Sequence, residues 1–283
     1  MTAPSTALEF QPLSESLGVE ILGLDLRRPM SVLEREHLKQ LYDEHHLLYL
    51  RCPGLDSESH LEFSKIFGPL FGEIPGQFVQ YVSNHREDRI IDEGALLFHS
   101  DLAFTPVPVL GLSLFALEIP EAGAQTSFAN AARAWSRLSE SLRAQLSELH
   151  ARHLFNLTTQ RGDVPYRDED LPEREPRAEH PVRMLHPRNG REILYVSEMQ
   201  TDRIVELSQG ESNAVLADLF GQLYSEENVY EHSWQEGDLL IWDNLAVQHA
   251  RPDMPVGAAR TLRRITLATA GVADQVKWFR RSD

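Results

Sequence analysis

Gly237-Asp238-Leu239-Leu240-Ile241-Trp242-Asp243-Asn244-Leu245-Ala246-Val247-Gln248-His249-Ala250-Arg251 carries the clearest structural signal in this 283-residue chain. An apolar run of strand length ends at an Asp-Asn turn signal, and a second short run then delivers His249 beside Gln248. Strand, turn and strand are expected. Beyond them, Arg260-Thr261-Leu262-Arg263-Arg264-Ile265-Thr266-Leu267 reads as a further strand. Successive side chains alternate, so Arg260, Leu262 and Arg264 share one face and Arg263 lies on the other.

Working outward, Leu97-Phe98-His99-Ser100-Asp101-Leu102 holds a second pattern. If this stretch is an extended strand, residues i and i+2 present the His99 imidazole and the Asp101 carboxylate on one side. Alone, His-x-Asp says little in a chain with twelve histidines, where a surface turn is the simpler reading. Joined by His249 it describes two histidines and one carboxylate on one face of a metal, the facial triad of non-heme Fe(II) oxygenases. Imidazole suits borderline metals, the hard carboxylate limits net charge, and open positions admit a co-substrate and oxygen.

The other histidines fit simpler roles. His45-His46 closes a predicted helix, where a cation interacts well with the macrodipole. His150 and His153 are spaced one helical turn apart and read as a solvated helix end. His180 and His186 read as core or hydrogen-bonding histidines. Trp242 reads as core packing, and Asp243 and Asn244 as turn residues, Asn244 with the further option of orienting His249.

Composition sets the class. With 42% hydrophobic and 25% charged residues, the chain falls in the ordinary soluble range, and its length buries about 70–75% of its unfolded surface in a sizeable core. A net charge of −16 argues against nucleic acid or an anionic membrane as partner. Arg260, Arg263 and Arg264 form only a small basic cluster. The one cysteine, Cys52 beside Pro53-Gly54, excludes an intrachain disulfide, fits a reducing cytoplasm and reads as inert. The first residues have neither a basic start nor an apolar h-region, and no stretch reaches membrane-spanning length. An acidic surface is compatible with monomer or homo-oligomer.

One domain spanning 1–283 is expected, without repeats or low-complexity linkers. A capping box, Ser31-x-x-Glu34, opens a helix carrying Leu33, Leu38 and Leu41 and ending near Glu44-His45-His46, before a buried strand at Leu47-Leu48-Tyr49-Leu50. Asp56 or Ser57 caps a second helix through Leu61, Phe63 and Phe67, with Gly68 closing it in the left-handed conformation. Asn130 caps a third, with Ala131, Trp135, Leu138, Leu142 and Leu146 on one face. A fourth runs from about Asn213 through Leu223. Strand-like runs lie at 109–118, 193–197, 238–242 and 263–269. This mixture predicts a β-sandwich with helices outside one sheet. The polar stretch between Asn156 and Glu179 reads as a solvated loop by composition. Loops of that length are often functional, so 156–178 and 70–96 are candidate covers over the substrate.

At these residues the chain resembles the taurine dioxygenase family, the Fe(II)- and 2-oxoglutarate-dependent group that also includes the chlorophenoxyacetate dioxygenases. The likeness covers nearly the whole chain. Besides the three blocks quoted above it includes Leu17-Gly18-Val19-Glu20-Ile21-Leu22-Gly23-Leu24-Asp25-Leu26, Phe63-Ser64-Lys65-Ile66-Phe67-Gly68 and Gly123-Ala124-Gln125-Thr126-Ser127-Phe128-Ala129-Asn130. His180-Pro181-Val182-Arg183, His186-Pro187 and Leu194-Tyr195-Val196 follow in matching order. The resemblance implies a double-stranded β-helix, or jelly roll, that binds Fe(II) and takes 2-oxoglutarate and O2 as co-substrates. It implies oxidation of an unactivated C–H bond of a small organic molecule, with succinate and CO2 as co-products. Hydroxylation is the default outcome, and C–heteroatom cleavage and desaturation stay open.

By the same resemblance His99, Asp101 and His249 are the iron ligands, Arg260 pairs with the distal carboxylate of 2-oxoglutarate, and Thr126 is its hydroxyl partner. A guanidinium suits that task because its planar fork meets a carboxylate with two parallel hydrogen bonds. Arg264 matches a second family arginine, which in the sulfonate-using members faces the substrate's acidic group; assistance to 2-oxoglutarate and a structural salt bridge stay open for it here. The departures argue against taurine. Taurine-using members have a tryptophan before the first iron-binding histidine and an asparagine three residues earlier, whereas this chain has Phe98 and Ala95. They also place a histidine and a tyrosine after the Phe-Gly block, and Gly68-Pro69-Leu70-Phe71-Gly72-Glu73-Ile74-Pro75 has neither. A larger or less polar substrate fits better. Two other classes stay open at this level: a metal-binding jelly roll without 2-oxoglutarate chemistry, acting in binding or sensing, and a divalent-metal hydrolase or isomerase.

Overall fold

Two mostly antiparallel sheets meet across a shared apolar interior in the computed structural model, which describes residues 8–72, 76–91, 94–121, 123–155, 176–253, 258–269 and 271–272. The larger runs in the order β1 (Glu9–Pro12), β2 (Val19–Leu22), β3 (Leu47–Arg51), β16 (Asp238–Asp243), β8 (Gly111–Glu118), β18 (Thr261–Leu267), β5 (Val79–Ser83) and β6 (Arg89–Ile91). Its ninth strand, β4 (Leu70–Phe71), pairs with the end of β18. The smaller has four strands, β15 (Val229–Ser233), β9 (Gln125–Asn130), β17 (Val247–Arg251) and β7 (Leu96–His99). Each step from β7 to β8, β8 to β9, β15 to β16, β16 to β17 and β17 to β18 changes sheet. This alternation makes the jelly roll that the resemblance implies. Two outlying sheets complete the β structure: β10 (His150–Leu154) between β11 (Arg177–Pro181) and β14 (Thr201–Ile204), and β12 (Arg183–Leu185) paired with β13 (Glu192–Leu194).

The apolar run quoted first is continuous because β16 is buried on both faces. Leu240 and Trp242 point between the sheets, against Leu112, Leu114, Phe128, Val247 and Leu262. Leu239 and Ile241 point the other way, onto α1 (Val32–His45) and α2 (Ser57–Ser64) through Leu38, Leu41, Tyr42 and Phe63. Each of these fully buried leucines and isoleucines contributes roughly 1.5–3 kcal/mol by leaving water. A third cluster joins α3 (Ala131–Arg137), α4 (Glu140–Leu146) and α5 (Gln209–Leu223) to β13 through Trp135, Leu146, Ile193, Leu216 and Leu219.

The Ser31 capping box is formed and His46 ends α1 in the left-handed region with φ 62°. Asp56 caps α2 by accepting from the Ser59 amide. Several boundaries differ from expectation. The helix predicted from Asn130 to Leu146 breaks at Leu138, whose backbone is extended, because Ser139 accepts from the Leu142 amide and starts α4 afresh. α2 stops at Ser64 and is closed by tight bonds from Ile66 and Phe67 to Phe63 and Ser64, so Gly68 needs no positive φ. α5 starts earlier than Asn213, at a capping box between Ser208 and Glu211. His150 and His153 lie on β10 rather than at a helix end. Of the candidate covers, 156–175 lie outside the described residues, whereas 70–96 contributes β4, β5 and β6. No described helix is long and apolar enough to cross a membrane.

Candidate active site

β17 and β7 pair so that His249 stands directly opposite His99, which brings the imidazole centroids to 4.2 Å. The pattern predicts an extended strand through Asp101, but β7 stops at His99. Leu102 adopts a left-handed φ of 57°, and the chain turns through bonds from Ala103 to Ser100 and from Thr105 to Leu102. Asn244, in the turn between β16 and β17, holds that bend. Its Oδ1 accepts from the Asp101 amide at 2.8 Å, and its Nδ2 donates to the carbonyls of Asp101 at 3.0 Å and Val109 at 2.9 Å. Asn244 therefore orients Asp101 rather than His249. The outcome still serves the expected cluster: Asp101 Oδ1 lies 3.3 Å from His99 Nε2 and 3.6 Å from His249 Nε2. Among the described residues this is the one group of three potential ligands whose atoms all lie within 4.8 Å of each other.

The protonation of the group suits a divalent cation. His99 Nδ1 faces the Leu97 carbonyl at 2.8 Å, which can only accept, so Nδ1 carries a proton and Nε2 is the atom turned toward the cluster. Burial, with His99 and Arg264 beside it, pushes His249 down to about 3 against the pull of Asp101, leaving a neutral imidazole. Its Nδ1 has no partner. Burial raises the Asp101 carboxyl, but Arg264 and the two imidazoles outweigh it and hold it well below the usual carboxylate range. Arg264 donates to Oδ2, which leaves Oδ1 for the imidazole side. Of the roles open to Arg264, a substrate contact, assistance to 2-oxoglutarate or a structural salt bridge, the structure shows a salt bridge, to Asp101, because a carboxylate so deeply buried needs a counter-charge.

These groups open into a cleft between the two sheets. Leu112, Leu114, Leu262 and Val82 line one side, Trp242 stands 5.0 Å from the His249 ring, and Leu96, Thr126, Arg251 and Arg260 complete the wall. Arg260 is 3% exposed, and its guanidinium has no acidic partner among the described residues. Among the described residues its Nε is unpaired and its one side-chain bond is a long 3.5 Å contact from Nη2 to Thr126 Oγ1. Burial, with Arg251 beside it, lowers its pKa to about 9. Thr126 on β9 also accepts from the Trp234 indole at 2.9 Å.

The predicted face alternation of β18 holds. Leu262 and Arg264 line the cleft, while Arg263 on the opposite face donates to His60 Nδ1 at 3.1 Å and to the carbonyls of Leu55 and Asp56. His180 and His186 are hydrogen-bonded, to the Thr105 carbonyl at 2.9 Å and to Asp243 at 2.7 Å. Burial raises the Cys52 thiol to about 12, which fits an inert cysteine. Sequence reasoning missed Trp234, Arg251 and the apolar walls. Alternation along Leu112-Ser113-Leu114 gave a usable signal for the walls, whereas nothing local marked Trp234.

The family model described as "Taurine catabolism dioxygenase TauD, TfdA family" matches residues 9–266. The chain is 28% identical over 276 residues to an alpha-ketoglutarate-dependent 2,4-dichlorophenoxyacetate dioxygenase of Cupriavidus pinatubonensis, spanning 90% of this chain and 96% of that protein. It is 29% identical over 280 residues to the pentalenolactone F synthase of Streptomyces arenae, spanning 88% and 91%. Among solved structures, AAD-2 in complex with Mn(II) and N-oxalylglycine superposes with a TM-score of 0.79 at 25% identity, over 93% of this chain and 98% of that one.

Proposed function

The chain belongs to the TauD/TfdA family of Fe(II)- and 2-oxoglutarate-dependent dioxygenases acting on small organic substrates, and from that premise we propose how its residues divide the work. His99, Asp101 and His249 hold the iron, and Arg260 with Thr126 holds the distal carboxylate of 2-oxoglutarate. The single observation that carries this reading is Arg260, a buried guanidinium without a counter-ion among the described residues. A dicarboxylate ligand supplies the missing charge in a geometry that a guanidinium fork matches. The donor set fits the metal as well, with two imidazoles and one ionised carboxylate facing one point.

When bound, iron and 2-oxoglutarate supply an oxidative decarboxylation that delivers an oxygen atom from O2 to a C–H bond of the substrate. The chain does the rest. Arg264 keeps Asp101 ionised and turned, His99 holds its tautomer through the Leu97 carbonyl, and Arg260 sets which end of the co-substrate lies far from the triad. Leu112, Leu114, Leu262 and Trp242 exclude water around the reacting atoms.

For the substrate, Phe98, Ala95 and the apolar stretch after Gly68 support a molecule less polar than taurine. The chlorinated aryloxy acid in one relative's name is in keeping with that. We read 1–283 as one domain, with 70–96 as part of the cover because Val82 and Leu96 line the cleft. The low cysteine content and net charge of −16 support a cytoplasmic enzyme without nucleic-acid or anionic-membrane partners, and homo-oligomerisation is left open.

The test is an anaerobic titration of the Fe(II)-loaded protein with 2-oxoglutarate, followed by the visible charge-transfer band of a bidentate 2-oxo acid chelate. The band is expected in wild type and absent in His249→Ala. In Arg260→Ala it should require much higher 2-oxoglutarate, a loss of roughly 2–5 kcal/mol for removing one partner of a buried charge pair. Unchanged co-substrate affinity in Arg260→Ala would reject the assignment of that end.

A further inference from the structure

Thr126 Oγ1 is the acceptor for two donors that can do nothing else, the Trp234 indole N–H at 2.9 Å and the Arg260 guanidinium at 3.5 Å. A hydroxyl has two lone pairs and one proton, so both acceptor positions are taken and only the proton remains. Among the described residues that proton meets no acceptor, and Thr126 lines the cleft. With both lone pairs engaged, the Thr126 proton is left for an acceptor in the cleft. We propose that Trp234 is a positioning residue for the co-substrate: its indole N–H fixes the rotor of Thr126 so that the hydroxyl donates to a carboxylate oxygen beside Arg260. This rests on the reading that Arg260 and Thr126 hold the distal carboxylate of 2-oxoglutarate.

Trp234 is itself locked from behind. It is 5% exposed and meets the His232 ring edge-on at 4.8 Å. His232 Nε2 lies 3.1 Å from Asp238 Oδ2, an acceptor only, so Nε2 carries the proton and Nδ1 accepts from the Tyr230 hydroxyl at 3.1 Å. Asp238 is anchored in turn by Tyr49 at 3.0 Å, Arg51 at 2.8 Å and the Gln235 amide at 2.7 Å. Two consecutive polar contacts, Arg51 to Asp238 and Asp238 to His232, thus run from the surface to the ring packed against Trp234. With its indole held in place, the N–H has one target. A hydrogen bond aimed before the ligand arrives avoids the entropy of freezing a rotor on binding.

The experiment is a double-mutant cycle read by calorimetric titration of the anaerobic Fe(II)-loaded protein with 2-oxoglutarate. Trp234→Phe keeps a ring and removes the N–H; Thr126→Val keeps the shape and removes the hydroxyl. Trp234→Phe should weaken 2-oxoglutarate about 2- to 10-fold in the Thr126 protein, the range for one neutral hydrogen bond, and leave affinity unchanged in the Thr126→Val background. The same loss in both backgrounds, or none in either, overturns the positioning role. If instead Thr126→Val and Arg260→Ala both leave affinity untouched, the carboxylate assignment itself fails. Should Trp234→Phe not fold, indole N–H resonances of the Zn(II)-loaded wild type decide the question. The Trp234 signal should move on addition of 2-oxoglutarate, and a fixed signal at saturating co-substrate rejects the proposal.

Discussion

Asn244 touches neither imidazole, yet both polar ends of its side chain are committed to the residue between them. The amide takes the Asp101 N–H and returns a donor to the Asp101 carbonyl, with a second bond to Val109, so one side chain replaces the ladder that β7 would have had if it continued. Alanine at this position leaves a buried N–H and two carbonyls unmatched, at about 1–3 kcal/mol for an unsatisfied buried group. It also frees Asp101 to leave the point shared with His99 and His249. Asn244→Ala should therefore lower Fe(II) affinity about 10- to 100-fold, the range for outer partners of metal ligands, while residual 2-oxoglutarate binding at saturating metal is retained. Competition against a calibrated chelator measures this. An unaltered iron affinity would mean that Arg264 alone holds the carboxylate.

The element that sets the site is the corner at which the chain passes from β16 in one sheet to β17 in the other, and its key residue is Asp243. Oδ1 accepts from the Leu245 and Ala246 amides at 3.0 and 3.2 Å, while Oδ2 accepts from His186 at 2.7 Å and Arg188 at 2.6 Å. Burial raises this carboxyl, but His186 and Arg188 outweigh it and hold it near 2, so its stabilisation is present above about pH 4 and fades as pH falls toward 2. Asp243→Ala should cost about 3–5 kcal/mol, because it strands a buried imidazole, a guanidinium and two turn amides; Asp243→Asn, which keeps an oxygen for the amides, should cost less. Urea unfolding at pH 7 separates the two, and equal losses would place the energy in the charge alone. This corner was legible in the sequence because both of its signals are local: an apolar run of strand length and an Asp-Asn turn. The break at Leu138 was not, since Leu138, Leu142 and Leu146 keep helical spacing whether or not Ser139 starts a new helix. Nor was the bend after His99, which depends on a side chain 143 residues away.

Across the whole molecule, the residues that motif and resemblance pointed to converge in one cleft, whereas the network supporting them joins positions that no local pattern connects. Trp234 and Thr126 are 108 residues apart, and Arg263 and His60 are 203. The histidines outside the cluster show the same limit. His46 and His153 read as helix-end groups in sequence and His180 as a core histidine, whereas nothing local marked His60; the fold buries all four. Burial lowers each of their pKa values, to about 4 for His46 and about 3 for His153. In the unfolded chain these imidazoles protonate near pH 6.5. Below that pH the unfolded state binds protons that the native state refuses, so stability is full above about 6.5 and is lost as pH falls toward the folded values. His46 and His153 together should remove about 3 kcal/mol for each pH unit between about 6 and 4. That window lies above the one in which Asp243 titrates, so the two losses are separable. Urea midpoints measured without metal from pH 7.5 down to 4.5 should fall steadily. His153→Phe, with its neighbours His180 and Tyr195 left in place, should flatten the slope by about 1.4 kcal/mol per pH unit. A midpoint independent of pH over that range would mean that these histidines take up protons in the folded protein, and that their burial does not keep them neutral.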